Sequence, residues 1–165
     1  PQAIEETRAS IQLYQELGGL AGRVLLAALL IFVPSRLLLR LFLVPGVVLF
    51  PVTYLVLYQA DYAAFAAAIF FCGLLTVAQF SFISEFLPKV FPLHLRGTGS
   101  SFATNVGGRM VGTMAATVNT EFLSRQFAGD VPTQVATAAA VIGGTVYLVA
   151  LVASFLMPAP KADGE

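Results

Sequence analysis

The sequence predicts an all-α integral membrane protein of five transmembrane helices, and three observations carry that prediction. The chain of 165 residues is 58% hydrophobic and 11% charged, with a mean hydropathy of +0.84. A soluble domain carries about 25% charged residues, and a chain this apolar would show large sticky patches to water. Five apolar segments, at about residues 11–33, 38–59, 63–87, 99–124 and 133–157, each reach the ~20 residues a helix needs to cross hydrocarbon. No period-two pattern points to a barrel, and lipid offers the backbone no hydrogen-bond partners, so all five are expected to be helices.

The breaks between segments carry turn chemistry: Pro34-Ser35, Asp61, Pro88 to Gly97, and Gly129-Asp130 followed by Pro132. The first segment has a polar face, Gln12, Gln15, Glu16, Gly19 and Arg23, and is wholly apolar from there to Val33. The second contains "VPGVVLFP", whose Pro45, Gly46 and Pro51 predict a bent support helix. The third carries Thr76 and Gln79 on one face at middle depth. The fourth has a stripe at four-residue spacing, Ser101, Asn105, Arg109, Thr113, Thr117 and Glu121. Four residues overshoot a revolution by about 40°, so this stripe is expected to wind slowly around the helix.

Lysine and arginine bias orients the bundle. One set of loops holds Arg36, Arg40, Lys89, Arg96 and Lys161, with His94 besides; the alternate set holds Arg8 and Arg125. Five against two puts the first set in the cytoplasm. Residues 1–10 are then an extracytoplasmic lead-in, residues 11–157 a partial helix bundle, and residues 158–165, "PAPKADGE", a cytoplasmic tail. Tyr58 and Tyr62 fall at the outer turn, at headgroup level. The chain opens on Pro1 without an initiator Met, which suggests a piece of something longer.

Several function classes drop out. Net charge is zero, so nothing favours nucleic acid. The lone Cys72 and lone His94 supply neither a metal set nor a nucleophilic triad, and no cofactor or enzyme activity is expected. "GTGSS" (97–101) lacks the lysine of a phosphate-binding loop and follows no strand. Gly18…Gly22 and Gly108…Gly112 are spaced to let helix backbones approach closely.

Arg23 and Arg109 each lie ten residues inside a segment's cytoplasmic end, roughly 15 Å deep. An arginine there costs about 2.5–3.5 kcal/mol on the gentlest scale, so each needs an acid, a wet cavity or an anionic ligand. Glu85 is the acid in reach of Arg109, about 12 Å away along the membrane normal. Arg109 reads as a gating salt bridge or an anionic-substrate contact, and Arg23 as a packing partner for a missing domain or a substrate contact. "GGLAGR" (18–23) and "NVGGR" (105–109) both set glycines just before such an arginine, in segments of opposite orientation, as an inverted three-helix repeat would.

The stretch "EFLPKVFPLHLRGTGSSFATNVGGR" (85–109) resembles the tenth-to-eleventh helix region of the major facilitator superfamily. Its members often end helix ten on an acid, continue through Phe-Pro and Arg-x-Thr-Gly, and open helix eleven with Ser, Asn and Gly-Arg. Here those positions are Glu85, Phe91-Pro92, Arg96 to Gly99, Ser101, Asn105 and Gly108-Arg109. The resemblance implies helices eight to twelve of a twelve-helix transporter, in which eight and eleven meet the N-terminal bundle. It also implies a cytoplasmic latch or gate of Arg36, Arg40, Glu85, Arg96 and Arg109. The family's Gly-x-Leu-Ala-Asp-Arg-x-Gly-Arg-Arg signature departs here to "FVPSRLLLR", which keeps Arg36 and Arg40 and loses the Asp and Gly.

The expected function is therefore that of a fragment of an ion-coupled secondary transporter in a bacterial inner membrane. It would move a small solute, an anionic organic acid or sugar derivative, by alternating access against the missing N-terminal bundle, with a proton as coupling partner. Arg23, Thr76, Gln79, Asn105 and Arg109 are the cavity candidates. The alternative is a non-transporting membrane subunit or assembly factor whose polar faces dock a partner.

Overall fold

The structure, a computed structural model, describes residues 2–157, without the side chains of residues 2, 3, 84, 85, 109 and 111. Among the described residues it is all helical. Helix α1 (Gln2–Leu29) is followed by α2 (Ser35–Leu55), α3 (Tyr62–Val90), α4 (Arg96–Ala103), α5 (Val111–Thr117) and α6 (Val131–Phe155). Helices α4 and α5 belong to one rod, joined by a π-helical stretch, Thr104–Met110, and continued by another, Val118–Leu123. Five rods thus follow the five predicted segments.

Three of them, α2, α3 and α6, are long and apolar enough to cross a membrane. Their apolarity extends to the outer surface: Leu37, Leu41, Val44, Val48 and Val52 make an exposed stripe down α2. That surface suits lipid. The first and fourth rods, also predicted to span, do not fall in this class. The first half of α1 is polar, and the fourth rod is divided among α and π turns.

Local chemistry accounts for the ends. Asp61 caps α3, its Oδ1 accepting from the Ala64 amide at 2.6 Å. Pro34 stands just before α2, where a missing N–H costs nothing. Helix α1 begins at Gln2 instead of near residue 11, because "EETRASIQLYQE" is polar without being helix-breaking. The predicted lead-in is therefore helical, and the tail at 158–165 lies outside the described residues. Helix α3 runs through Pro88 to Val90, and α4 already starts at Arg96, which shortens the predicted connection. Pro45 and Pro51 sit inside an unbroken α2.

Two close pairings hold the bundle. Helix α1 lies along α3, and α2 lies along α6, with α2 and α3 joining the pairs. The first pairing is glycine-mediated: a Cβ at Gly18 would fall on the Phe70 carbonyl, and one at Gly22 on the Leu74 carbonyl. In the second, Gly46 leaves room for the Tyr147 ring and Gly143 for Phe50. Leu38, Phe42 and Leu43 of α2 meet Leu75, Phe82 and Phe86 of α3 in the buried core. Lipid gives apolar helices little reason to associate, so such close approach and the dispersion it brings are the cohesive force.

The fourth rod is held differently. Its start packs on α3 and its end on α6, while residues 104–117 make no comparable contact. Gly107 and Gly112 have open space around them, and Gly108 faces only Phe80 at 3.6 Å. Among the described residues the tight packing expected of Gly108…Gly112 is thus not made, whereas that of Gly18…Gly22 is.

Candidate functional site

A cavity of about 470 Å³ lies behind the unpacked middle of the fourth rod, and all five rods contribute to its wall. Its polar groups come from different elements: Gln15 from α1, Tyr54 from α2, Thr76 from α3, Asn119 from the second π stretch and Tyr147 from α6. Gly112, Ala115 and Ala116 form its wall on the fourth rod. Apolar walls with a few convergent polar groups are what small-molecule sites present.

A hydrogen-bonded strand of side chains crosses this wall. The Tyr147 and Thr76 hydroxyls are 3.0 Å apart, and the Thr76 hydroxyl also donates to the Cys72 carbonyl at 2.7 Å. One helical turn away, Thr53 donates to the Leu49 carbonyl at 2.7 Å and lies 3.5 Å from the Cys72 sulfur. Tyr147 is only 5% exposed, and its ring is tilted against Phe50 with centroids 4.7 Å apart. Because Gly46 abuts that ring, the hydroxyl is held at one depth. The Asn119 carboxamide oxygen, in contrast, is buried with no hydrogen-bond partner among the described residues. Leaving it so costs about 1–3 kcal/mol, which a donor from outside the chain would recover.

The predicted cavity residues divide. Thr76 lines this cavity. Gln79, one turn on, donates to the Leu75 carbonyl at 3.1 Å and borders a second, apolar cleft on the far side of Tyr147. Arg23 is exposed on α1 and lines neither cavity, and Asn105 is exposed on the fourth rod, its amide donating to the Ser101 carbonyl at 2.9 Å. The backbone of Arg109 lies in the first π stretch, while its side chain and that of Glu85 lie outside the described residues, so the proposed pair does too. Asn119, Tyr54 and Tyr147 were not among the predicted residues. Only the depth of Asn119 in an apolar segment offered a signal.

The polar stripe of the fourth rod is bare: Ser101, Asn105, Thr113, Thr117 and Glu121 are all exposed. It also winds less than a pure α-helix would dictate. A π turn holds roughly one residue more than an α turn, so four residues fall short of a revolution where α turns overshoot it. The alternation offsets the drift. Gln12, Gln15, Glu16 and Arg23 of α1 are also exposed, while Gly19 of the same predicted face is buried against Val77 of α3.

Of the predicted latch residues, Arg36 and Arg40 lie near the start of α2 and Arg96 opens α4, while Arg109 lies in the first π stretch. Arg40 ties α2 to α6, donating through Nε to the Ser154 hydroxyl at 3.3 Å and through Nη2 to the Ser154 carbonyl at 3.2 Å. A cation on the last carbonyls of a helix is favourably placed. Arg96 donates to the Phe91 carbonyl at 3.5 Å, across the short connection before α4, and Arg36 stands in the first turn of α2. No family model matches the chain, and no curated protein or solved structure does either.

Proposed function

We propose that this chain is the C-terminal part, helices eight to twelve, of a major facilitator superfamily transporter that moves a small solute by alternating access. The observation that carries the reading is the pairing of bare polar faces with an incomplete cavity. Exposed amides, hydroxyls and charges on α1 and the fourth rod are costly against lipid, and these are the two rods that correspond to helices eight and eleven. A second bundle would cover them and close the cavity behind the fourth rod. The motif of residues 85–109 points to the same family.

In this reading all five rods cross a bacterial inner membrane, with the N-terminus outside and the basic end of the bundle cytoplasmic. Thr76, Tyr147 and Asn119 offer hydroxyl and amide contacts to the solute. Arg23 lines neither of the two cavities described, so its contact with an anionic organic acid or sugar derivative would be made across the junction with the partner bundle. Ion coupling, by a proton, would use groups of both bundles.

The test is uptake by the full-length protein in proteoliposomes, against a panel of anionic and neutral solutes, with Thr76→Val, Arg23→Ala, Arg109→Ala and Glu85→Gln alongside. Selective uptake lost in Thr76→Val supports the reading. Anion uptake at the wild-type level in both arginine variants removes the anionic solute, and wild-type transport in Glu85→Gln removes the gating pair. A folded protein that accumulates no solute at all would replace the transporter with a docking subunit, which the bare polar faces also suit.

A further inference from the structure

The apolar cleft beyond Tyr147 has a volume of about 320 Å³ and lies between α2, α3 and α6, at the basic end of the bundle. Leu43, Phe82, Phe86 and Ala150 form its walls, and Ala153 and Ser154 also border it. Beside Ser154 lies the half-buried Arg40, its guanidinium 4.1 Å over the Phe155 ring. A guanidinium has five N–H donors, and Arg40 uses two of them, both on Ser154. Among the described residues no carboxylate pairs with it. It stands five residues into α2, roughly 8 Å from the helix start, where acyl chains meet headgroups in a bilayer.

We propose that this cleft binds an anionic membrane lipid, with one acyl chain between α3 and α6 and the headgroup phosphate on the remaining N–H groups of Arg40. Apolar walls and a cation short of counter-charge ask for the two ends of one amphiphile. A free anion would have no use for the cleft, and in a zwitterionic lipid the headgroup's own ammonium offsets the phosphate charge that Arg40 would meet. Basic pockets between transmembrane helices recur as sites for anionic headgroups. The proposal depends on these three helices lying in a bilayer and not on transport, so it stands or falls separately from the transporter reading.

The experiment is a native mass spectrometry titration of the full-length protein in neutral detergent. The probes are phosphatidylglycerol, phosphatidylcholine with the same chains, and glycerol phosphate, each offered to the wild type and to Arg40→Gln, Arg40→Lys and Ala153→Phe. Phosphatidylglycerol should bind the wild type about tenfold more tightly than phosphatidylcholine, and Arg40→Gln should abolish that difference. Arg40→Lys should keep part of it, since the charge remains and the fork is lost. Ala153→Phe, which fills the cleft from α6 and leaves Arg40 in place, should weaken both lipids. Undiminished phosphatidylglycerol binding in either Arg40→Gln or Ala153→Phe overturns the proposal. So does glycerol phosphate binding as tightly as the lipid, which would make this a soluble-anion site.

Discussion

Gly22→Ala tests the packing of α1 on α3 through the sign of its effect. In an unconstrained helix, alanine in place of glycine stabilises by about 1 kcal/mol. At Gly22, however, the new Cβ would stand 2.9 Å from both the carbonyl carbon and the Cα of Leu74; at Gly18 the corresponding distances to Phe70 are 2.7 and 3.0 Å. Carbon atoms rest at about 3.5–4.0 Å, and backbone cannot turn aside as a side chain can, so α1 must move out by about 1 Å. Such a gap forfeits a quarter to a half of each neighbouring contact, and overpacking of this kind costs about 1–3 kcal/mol. The net effect is a loss of about 1 kcal/mol, or about 2–4 °C in Tm for a chain of this size. Gly112→Ala, with nothing within 4 Å of its Cβ, should instead hold or raise the Tm of the chain by itself. Cys72 provides the assay: it is the chain's one thiol and is buried, so a thiol-reactive dye reports unfolding in detergent. A Gly22→Ala chain melting at or above the wild type would refute the close approach of α1 and α3.

Other expectations follow from single contacts. Tyr147→Phe should cost about 0.5–1.5 kcal/mol, because Thr76 keeps its bond to the Cys72 carbonyl and the ring keeps Phe50. A double-mutant cycle with Thr76→Val should return most of that as coupling; full additivity would show that the two hydroxyls do not meet. Gly129→Ala should destabilise by about 1 kcal/mol or more in the same melt, since Gly129 has a φ of +121° that a Cβ opposes.

The segments that were easiest to read are those in which hydropathy and helix formation coincide. The expected 38–59, 63–87 and 133–157 differ from α2, α3 and α6 by a few residues at each end, because turn chemistry bounds an apolar run on both sides. The first rod begins well before its apolar run, because Glu, Arg and Gln are good helix formers and polarity does not end a helix. Of the site, Thr76 was legible as a hydroxyl at middle depth in an apolar helix. Tyr147 was not, since one tyrosine in an apolar run gives no sign that Gly46 on another helix makes room for its ring. The π stretches left no local mark at all.

The two small-residue pairs carry the remaining lesson. Gly18…Gly22 and Gly108…Gly112 have the same spacing and each stands beside an arginine, but the α3 backbone closes on the first, while among the described residues only Phe80 touches the second, at Gly108. Spacing states that a backbone can approach, and only the fold states whose. Of the three apolar rods, α2 and α6 lie along each other, and α3 packs between α2 and α1. Those with polar faces, α1 and the fourth rod, lie at the flanks with their amides, hydroxyls and charges turned outward. In water such faces would be ordinary surface. Beside three helices fit for a bilayer they demand protein or an aqueous path.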